Sequence, residues 1–187
     1  MRTKDTVLIA LFAALIVVLS LAPPIPLPAI PVPVTLQSLG VMLTGAMLGP
    51  VRGGLACLLY LALAAIGLPV LPGGRGGLGV FFGPTGGFLI GMALGAFVTG
   101  WMARTLVRFP MQGARPLAGY AVACVAGGIG MVYLIGVPWL AAVTQMPIAK
   151  AAMAMLVFIP GDLVKVAVAT WAAWRVERVW PVLRESP

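Results

Sequence analysis

Thr6-Val7-Leu8-Ile9-Ala10-Leu11-Phe12-Ala13-Ala14-Leu15-Ile16-Val17-Val18-Leu19-Ser20-Leu21-Ala22 is the stretch whose reading decides the fold. With Arg2 and Lys4 ahead of it, this apolar run imitates a secretion signal. A cleaved signal would end in a small-residue site before a soluble mature chain. Here the following sequence is again of membrane type, so residues 6–22 are expected to be a first transmembrane helix. Crossing a bilayer core of about 30 Å takes roughly 20 apolar residues in a helix. Across the 187 residues, 61% are hydrophobic and only 9% charged, against about 25% charged in a typical soluble domain. The expectation is an all-α integral membrane protein, a single domain over 1–187 with six transmembrane helices and short loops.

Turns and prolines divide the remainder. Pro23 to Pro33 carries prolines at even spacing and predicts an extended, polyproline-like segment at the membrane surface. Further helices are expected over about Val34–Leu48, Gly53–Ile66, Pro84–Ala103, Leu117–Val137 and Pro147–Arg175. The second and third are short for a full crossing, so irregular segments are expected to enter the bundle beside them. With the N-terminus inside, Arg2, Lys4, Arg52, Arg104, Arg108, Arg115, Arg175, Arg178 and Arg184 share the inner side. Arg75 and Lys150 then fall outside, a strong positive-inside bias that predicts cytoplasmic N- and C-termini. Trp101, Trp171, Trp174 and Trp180 fall near the same inner interface, as an aromatic belt would.

The formal charge of +8 would suggest nucleic acid in a soluble chain. The basic residues sit in loops and termini, without a clustered patch of interleaved aromatics, so the expected partner is the lipid bilayer and not nucleic acid. No histidine is present, which excludes histidine-based triads and histidine-ligated metals. Cys57 and Cys124 lie in apolar runs without metal-ligand spacing and read as buried small residues. Gly74 to Gly79 matches GxGxxG, but no strand precedes it, so no dinucleotide site is expected. There is no GxxxxGK[ST] loop, so any energy from ATP must come from a partner.

Chemistry is concentrated in Phe158-Ile159-Pro160-Gly161-Asp162-Leu163-Val164-Lys165. A charge at the centre of a membrane helix costs about 2.5–3.5 kcal/mol on insertion scales. Asp162 and Lys165, three apart, share one helix face and can pair. Pro160 predicts a break, after which the helix dipole favours a carboxylate in the first turn. Two readings stand side by side: the pair neutralises itself and staples the bundle, or it forms a buried polar site for a substrate. The glycine-rich run from Leu68 to Gly77, followed by Gly83-Pro84-Thr85-Gly86-Gly87, suits a lid over an outward-facing site, with Arg75 placed to clamp a carboxylate. An ordinary loop with a solvated arginine is the other reading. Gly83, Gly87, Gly91 and Gly95 form a repeated GxxxG stripe for close helix packing. Ala10 and Ala14 make a small-residue face on helix one, and Gln37 is a polar residue at the mouth of helix two.

Taken together, Pro31-Val32-Pro33-Val34-Thr35-Leu36-Gln37, Leu48-Gly49-Pro50, Ile66-Gly67-Leu68-Pro69-Val70, Gly83-Pro84-Thr85-Gly86-Gly87 and the Asp162–Lys165 segment resemble the BioY proteins. These are the biotin-binding S components of energy-coupling factor (ECF) vitamin transporters. The resemblance covers nearly the whole chain and implies an S-component-like six-helix bundle that binds biotin near its outer face. It further implies that Asp162 and Lys165 help to hold the vitamin while the glycine-rich loop closes over it. Arg75, Gln37, Gly74, Gly76 and Thr85 are the remaining candidate substrate contacts. Some members carry an arginine soon after the Gly-Pro-Thr-Gly-Gly motif; that place is Leu89 here and carries no contact over. Ala10 and Ala14 would dock a transmembrane coupling subunit driven by two cytoplasmic ATPases, in the bacterial cytoplasmic membrane. No enzyme activity, cofactor or metal is implied, and homo-oligomerisation stays open. The competing readings are an ion-coupled secondary transporter, with Asp162 carrying a proton or sodium, and a structural subunit assembled through the glycine stripe.

Overall fold

The computed structural model describes residues 3–27, 30–107 and 115–180. Arg2, Arg108 and Arg184, counted above among the inner charges, lie outside them. The chain begins with α1 (Thr3–Leu21) and a short hairpin of β1 (Ile25–Leu27) and β2 (Ile30–Val34). Then come α2 (Gln37–Leu48), α3 (Pro50–Ala65), the one-turn α4 (Gly79–Phe82) and α5 (Gly86–Leu106). A continuous helical stretch follows, made of α6 (Arg115–Cys124), a π-helical segment (Val125–Met131) and α7 (Val132–Thr144). The last consists of α8 (Ile148–Met155), a 3-10 turn (Leu156–Phe158) and α9 (Ile159–Val179).

Among the described residues, four stretches are long and apolar enough to cross a membrane: Thr3–Leu21, Gly86–Leu106, Arg115–Thr144 and Ile148–Val179. Their outer faces carry large exposed aliphatics, among them Val18 at 66%, Leu134 at 68% and Val164 at 64%. Such a surface suits lipid rather than water, and the chain is a multi-pass membrane protein. At 12 and 16 residues, α2 and α3 reach about 18 and 24 Å at 1.5 Å per residue, short of a full core. Between them Gly49 takes φ 80° and ψ −176°, a backbone open to glycine, and Pro50 starts α3 where a missing N–H costs nothing.

Three sequence expectations are corrected. The proline-rich segment is an antiparallel hairpin, because the ladder pairs Ile25 with Val34 and Leu27 with Ile30. Pro26, Pro31 and Pro33 fall between these paired positions, where no ladder N–H is demanded. The fifth expected helix extends beyond Val137, through Pro138 to Thr144, and stops at Gln145 in the left-handed region (φ 57°). The glycine stripe starts at Gly87: Gly83 ends α4, and its carbonyl accepts a hydrogen bond from Trp139 Nε1 at 3.0 Å.

Packing is organised around α5, which touches α2, α3, α6, the π-helical segment and α7. Gly87 lies against Trp139, Gly91 against the Val132 backbone and Gly95 against the Gly127 carbonyl. Along its other contacts, Gly100 meets the Gly49–Pro50 backbone, and Gly45 of α2 meets Ala96 and Thr99. Small residues permit such approaches where lipid supplies no hydrophobic drive between helices. The start of α1 and the end of α9 share one end of the bundle, with Lys4 5.7 Å from the Trp180 ring. There Arg175 lies over Trp171 and Arg178 over Trp174, at 5.8 and 4.9 Å. Arg52, expected as a loop charge, is instead buried on the first turn of α3 and paired with Asp5 of α1 at 2.6 Å.

Candidate functional site

The last helical stretch breaks as the proline predicts. One 3-10 turn ends at Phe158, α9 restarts at Ile159 with Pro160 in its first turn, and Asp162 follows as the acidic residue there. Asp162 and Lys165 are 6% and 8% exposed, and Lys165 Nζ donates to Asp162 Oδ1 at 2.8 Å. Two partners were missed from the sequence. The Tyr133 hydroxyl of α7 donates to Asp162 Oδ2, and Lys165 Nζ also donates to Ser38 Oγ of α2 at 2.9 Å. Neither residue carries a local signal, since only the packing of α2 and α7 on α9 brings them there.

These groups face a cavity with an empty volume of about 700 Å³, part of it open to solvent. The hairpin and the start of α2 supply Val32, Pro33, Thr35, Gln37 and Ser38, while the 71–75 loop adds Leu71, Pro72 and Arg75. Thr85, Phe88, Leu89 and Met92 come from α5 and the residue before it, and Val132, Met155 and Phe158 add apolar wall. Phe88 and Tyr133 meet edge to face, with centroids 6.3 Å apart.

Counting donors and acceptors among the described residues shows what the cavity still offers. An ammonium has three N–H groups; Lys165 uses two on Asp162 and Ser38 and has a third to give. Each Asp162 oxygen accepts one protein hydrogen bond and retains a second lone pair. Ser38 Oγ accepts from Lys165, so its own hydrogen remains to donate. The arrangement is a polar floor with both donors and acceptors to spare, beneath apolar walls. It suits a compact molecule carrying N–H, carbonyl and hydrocarbon surface together.

Of the residues singled out from the sequence, Asp162, Lys165, Gln37, Thr85 and Arg75 all line this cavity. Arg75 is exposed at the mouth, where its Nε donates to the Pro72 carbonyl at 3.1 Å. Gly74 and Gly76 do not line it. The amides of Gly74 and Arg75 return to the Leu71 carbonyl at 3.0 and 3.3 Å. This turn holds Gly73 and Gly74 at φ 76° and 69°, while a Cβ at Gly76 would collide with the Leu68 carbonyl. Those glycines shape the turn that carries Arg75. Ala10 and Ala14 are exposed on α1, away from the cavity, whereas Ala13 is buried.

Fold and site thus define a class: a multi-pass helical membrane protein with a small-molecule cavity set around a buried charge pair. Comparison with known proteins narrows it. The BioY family model matches residues 1–182. A biotin transporter BioY of Rhizobium etli is 49% identical, covering 98% of each chain. Another, of Rhodobacter capsulatus, is 50% identical over 95% of each. Among solved structures, the S-component for biotin from an ECF-type ABC transporter superposes with a TM-score of 0.87, at 33% identity and 95% coverage of both chains. The chain belongs to the BioY family.

Proposed function

We propose that this protein captures biotin in the cavity above Asp162 and Lys165 and serves as the substrate-binding subunit of an ECF-type transporter. The observation that carries this reading is the buried pair with unused valences of both kinds. Biotin presents two ureido N–H donors, a ureido carbonyl, an apolar bicycle and a valerate carboxylate. Asp162 accepts from the ureido ring, and Lys165 donates to its carbonyl or holds the carboxylate. The thiophane ring lies against Phe88, Val132 and Phe158, with the valerate toward Arg75 at the mouth. The names of the relatives and the matched S-component support the same substrate.

In this proposal α2 and α3 complete a six-span bundle in the bacterial cytoplasmic membrane, with both termini cytoplasmic. Support comes from the joint position of Lys4, Arg175, Arg178 and their tryptophans at one end. Asp162 stands at the start of α9, toward the other end. Ala10 and Ala14 dock the transmembrane coupling subunit, which two cytoplasmic ATPases drive.

Biotin added to the purified chain in detergent is expected to raise its melting temperature, because a ligand that binds only the folded state stabilises it. Riboflavin and thiamine at equal concentration are expected to leave it unchanged; a chain indifferent to biotin would end this reading. Ala14→Trp is expected to abolish uptake by the assembled transporter while leaving biotin affinity within about twofold, since Ala14 is remote from the cavity. Uptake that persists would remove this face from docking.

A further inference from the structure

Behind the α2 wall of the cavity runs a chain of hydrogen bonds that ends in α1. Gln37 Nε2 donates to the Tyr60 hydroxyl at 2.8 Å. The Tyr60 and Ser20 oxygens are 2.9 Å apart, and Ser20 Oγ donates to the Ile16 carbonyl at 2.7 Å. Tyr60 and Ser20 are fully buried, and neither lines the cavity. A hydroxyl owns one hydrogen. Ser20 gives its hydrogen to Ile16, so Tyr60 must give its own to Ser20, with the Val70 carbonyl at 3.3 Å as a weaker second acceptor. The Tyr60 oxygen then has to receive from Gln37. All three contacts are satisfied with one hydrogen each.

Turning the Gln37 amide over breaks this sequence. Tyr60 would then donate to the amide oxygen, and Ser20 would have to abandon Ile16 to keep its contact with Tyr60. One hydrogen bond is lost in a sealed site, which fixes the amide in the first orientation. Its oxygen is accordingly the end turned from Tyr60. Among the described residues no donor reaches that oxygen, it is not fully buried, and Gln37 lines the cavity.

We infer that Tyr60 and Ser20 are positioning residues that hold Gln37 as a hydrogen-bond acceptor for an N–H group of the ligand. The inference rests on the proposed biotin site and deepens it. Biotin's only N–H donors are the two of its cyclic urea, so Gln37 reads one of them. Selectivity for a cyclic urea then depends on a tyrosine and a serine outside the cavity.

Titration of biotin into the purified chain tests this through a double-mutant cycle. Tyr60→Phe keeps the ring and frees the amide, and is expected to weaken biotin about tenfold, the scale of one oriented hydrogen bond. In a Gln37→Ala background the same change is expected to cost nothing further. Ser20→Ala is expected to move affinity in the same direction by less. Two carbamate analogues of biotin, each with one ureido N–H replaced by a ring oxygen, test the polarity. For one of them Tyr60→Phe is expected to have no effect, and for the other the full tenfold effect. Equal losses from Tyr60→Phe with and without Gln37, or no loss at all, would overturn the relay. A full effect with both carbamates would overturn the acceptor assignment. Failure of the unaltered chain to bind biotin would sink the vitamin reading itself, a result distinct from normal binding without coupling.

Discussion

Asp162→Asn is expected to weaken biotin binding by about 100- to 1,000-fold, measured by titration of the purified chain in detergent. The change preserves shape, so the effect is one of charge and hydrogen-bond polarity. Lys165 would lose its counter-charge while remaining only 8% exposed. Removing one partner of a buried pair costs about 3–5 kcal/mol in other proteins. The carboxylate accepts from Lys165 on one oxygen and from Tyr133 on the other. An amide has a single oxygen, so either the ammonium or the tyrosine hydroxyl would face an N–H₂ group. The lone pairs assigned to the ureido ring shrink with it. Unchanged affinity would remove Asp162 from the site.

Gly127→Ala is expected to lower the melting temperature by on the order of 5 °C, while Gly130→Ala leaves it unchanged or raises it. A methyl at Gly127 would fall on the Gly95 carbonyl and on Thr99, both held by α5, and neither can yield without parting the helices. At Gly130, three residues on, the nearest atom is the Val125 carbonyl at 3.6 Å, an ordinary contact. There alanine only removes the helix penalty of glycine, about 0.5–1 kcal/mol. The two substitutions add the same atom to the same π-helical segment, so opposite signs isolate close packing from backbone propensity. Equal shifts would overturn the assignment of Gly127 to the α5 contact.

The candidate site was legible in part. Asp162 and Lys165 stood out because charges are rare in a chain of this composition, and their spacing of three makes the pair a local property of one helix. Gln37 was singled out as a polar residue at a helix mouth, Arg75 as the charge of the glycine-rich loop and Thr85 as part of the Gly83–Gly87 motif, and the structure places all three on the cavity wall. Tyr133 and Ser38 were not foreseen. They stand 29 and 127 residues from the groups they touch, and a tyrosine or serine in an apolar helix says nothing about its partner. The same holds for Tyr60 and Ser20, whose significance lies wholly in the atoms they connect. Arg52 was read as a loop charge because the third helix was expected to start at about Gly53, yet α3 begins at Pro50 and carries Arg52 inward to Asp5.

Composition and run length by themselves determined that this is a helical membrane protein with a broken last helix, because transfer into lipid is additive over residues and a proline acts on its own turn. Tertiary structure alone decided where the cavity lies, which hydrogens remain to be given, and which glycines are irreplaceable. Those depend on distances between helices remote in the chain, and a few tenths of an ångström there separate a contact from a collision.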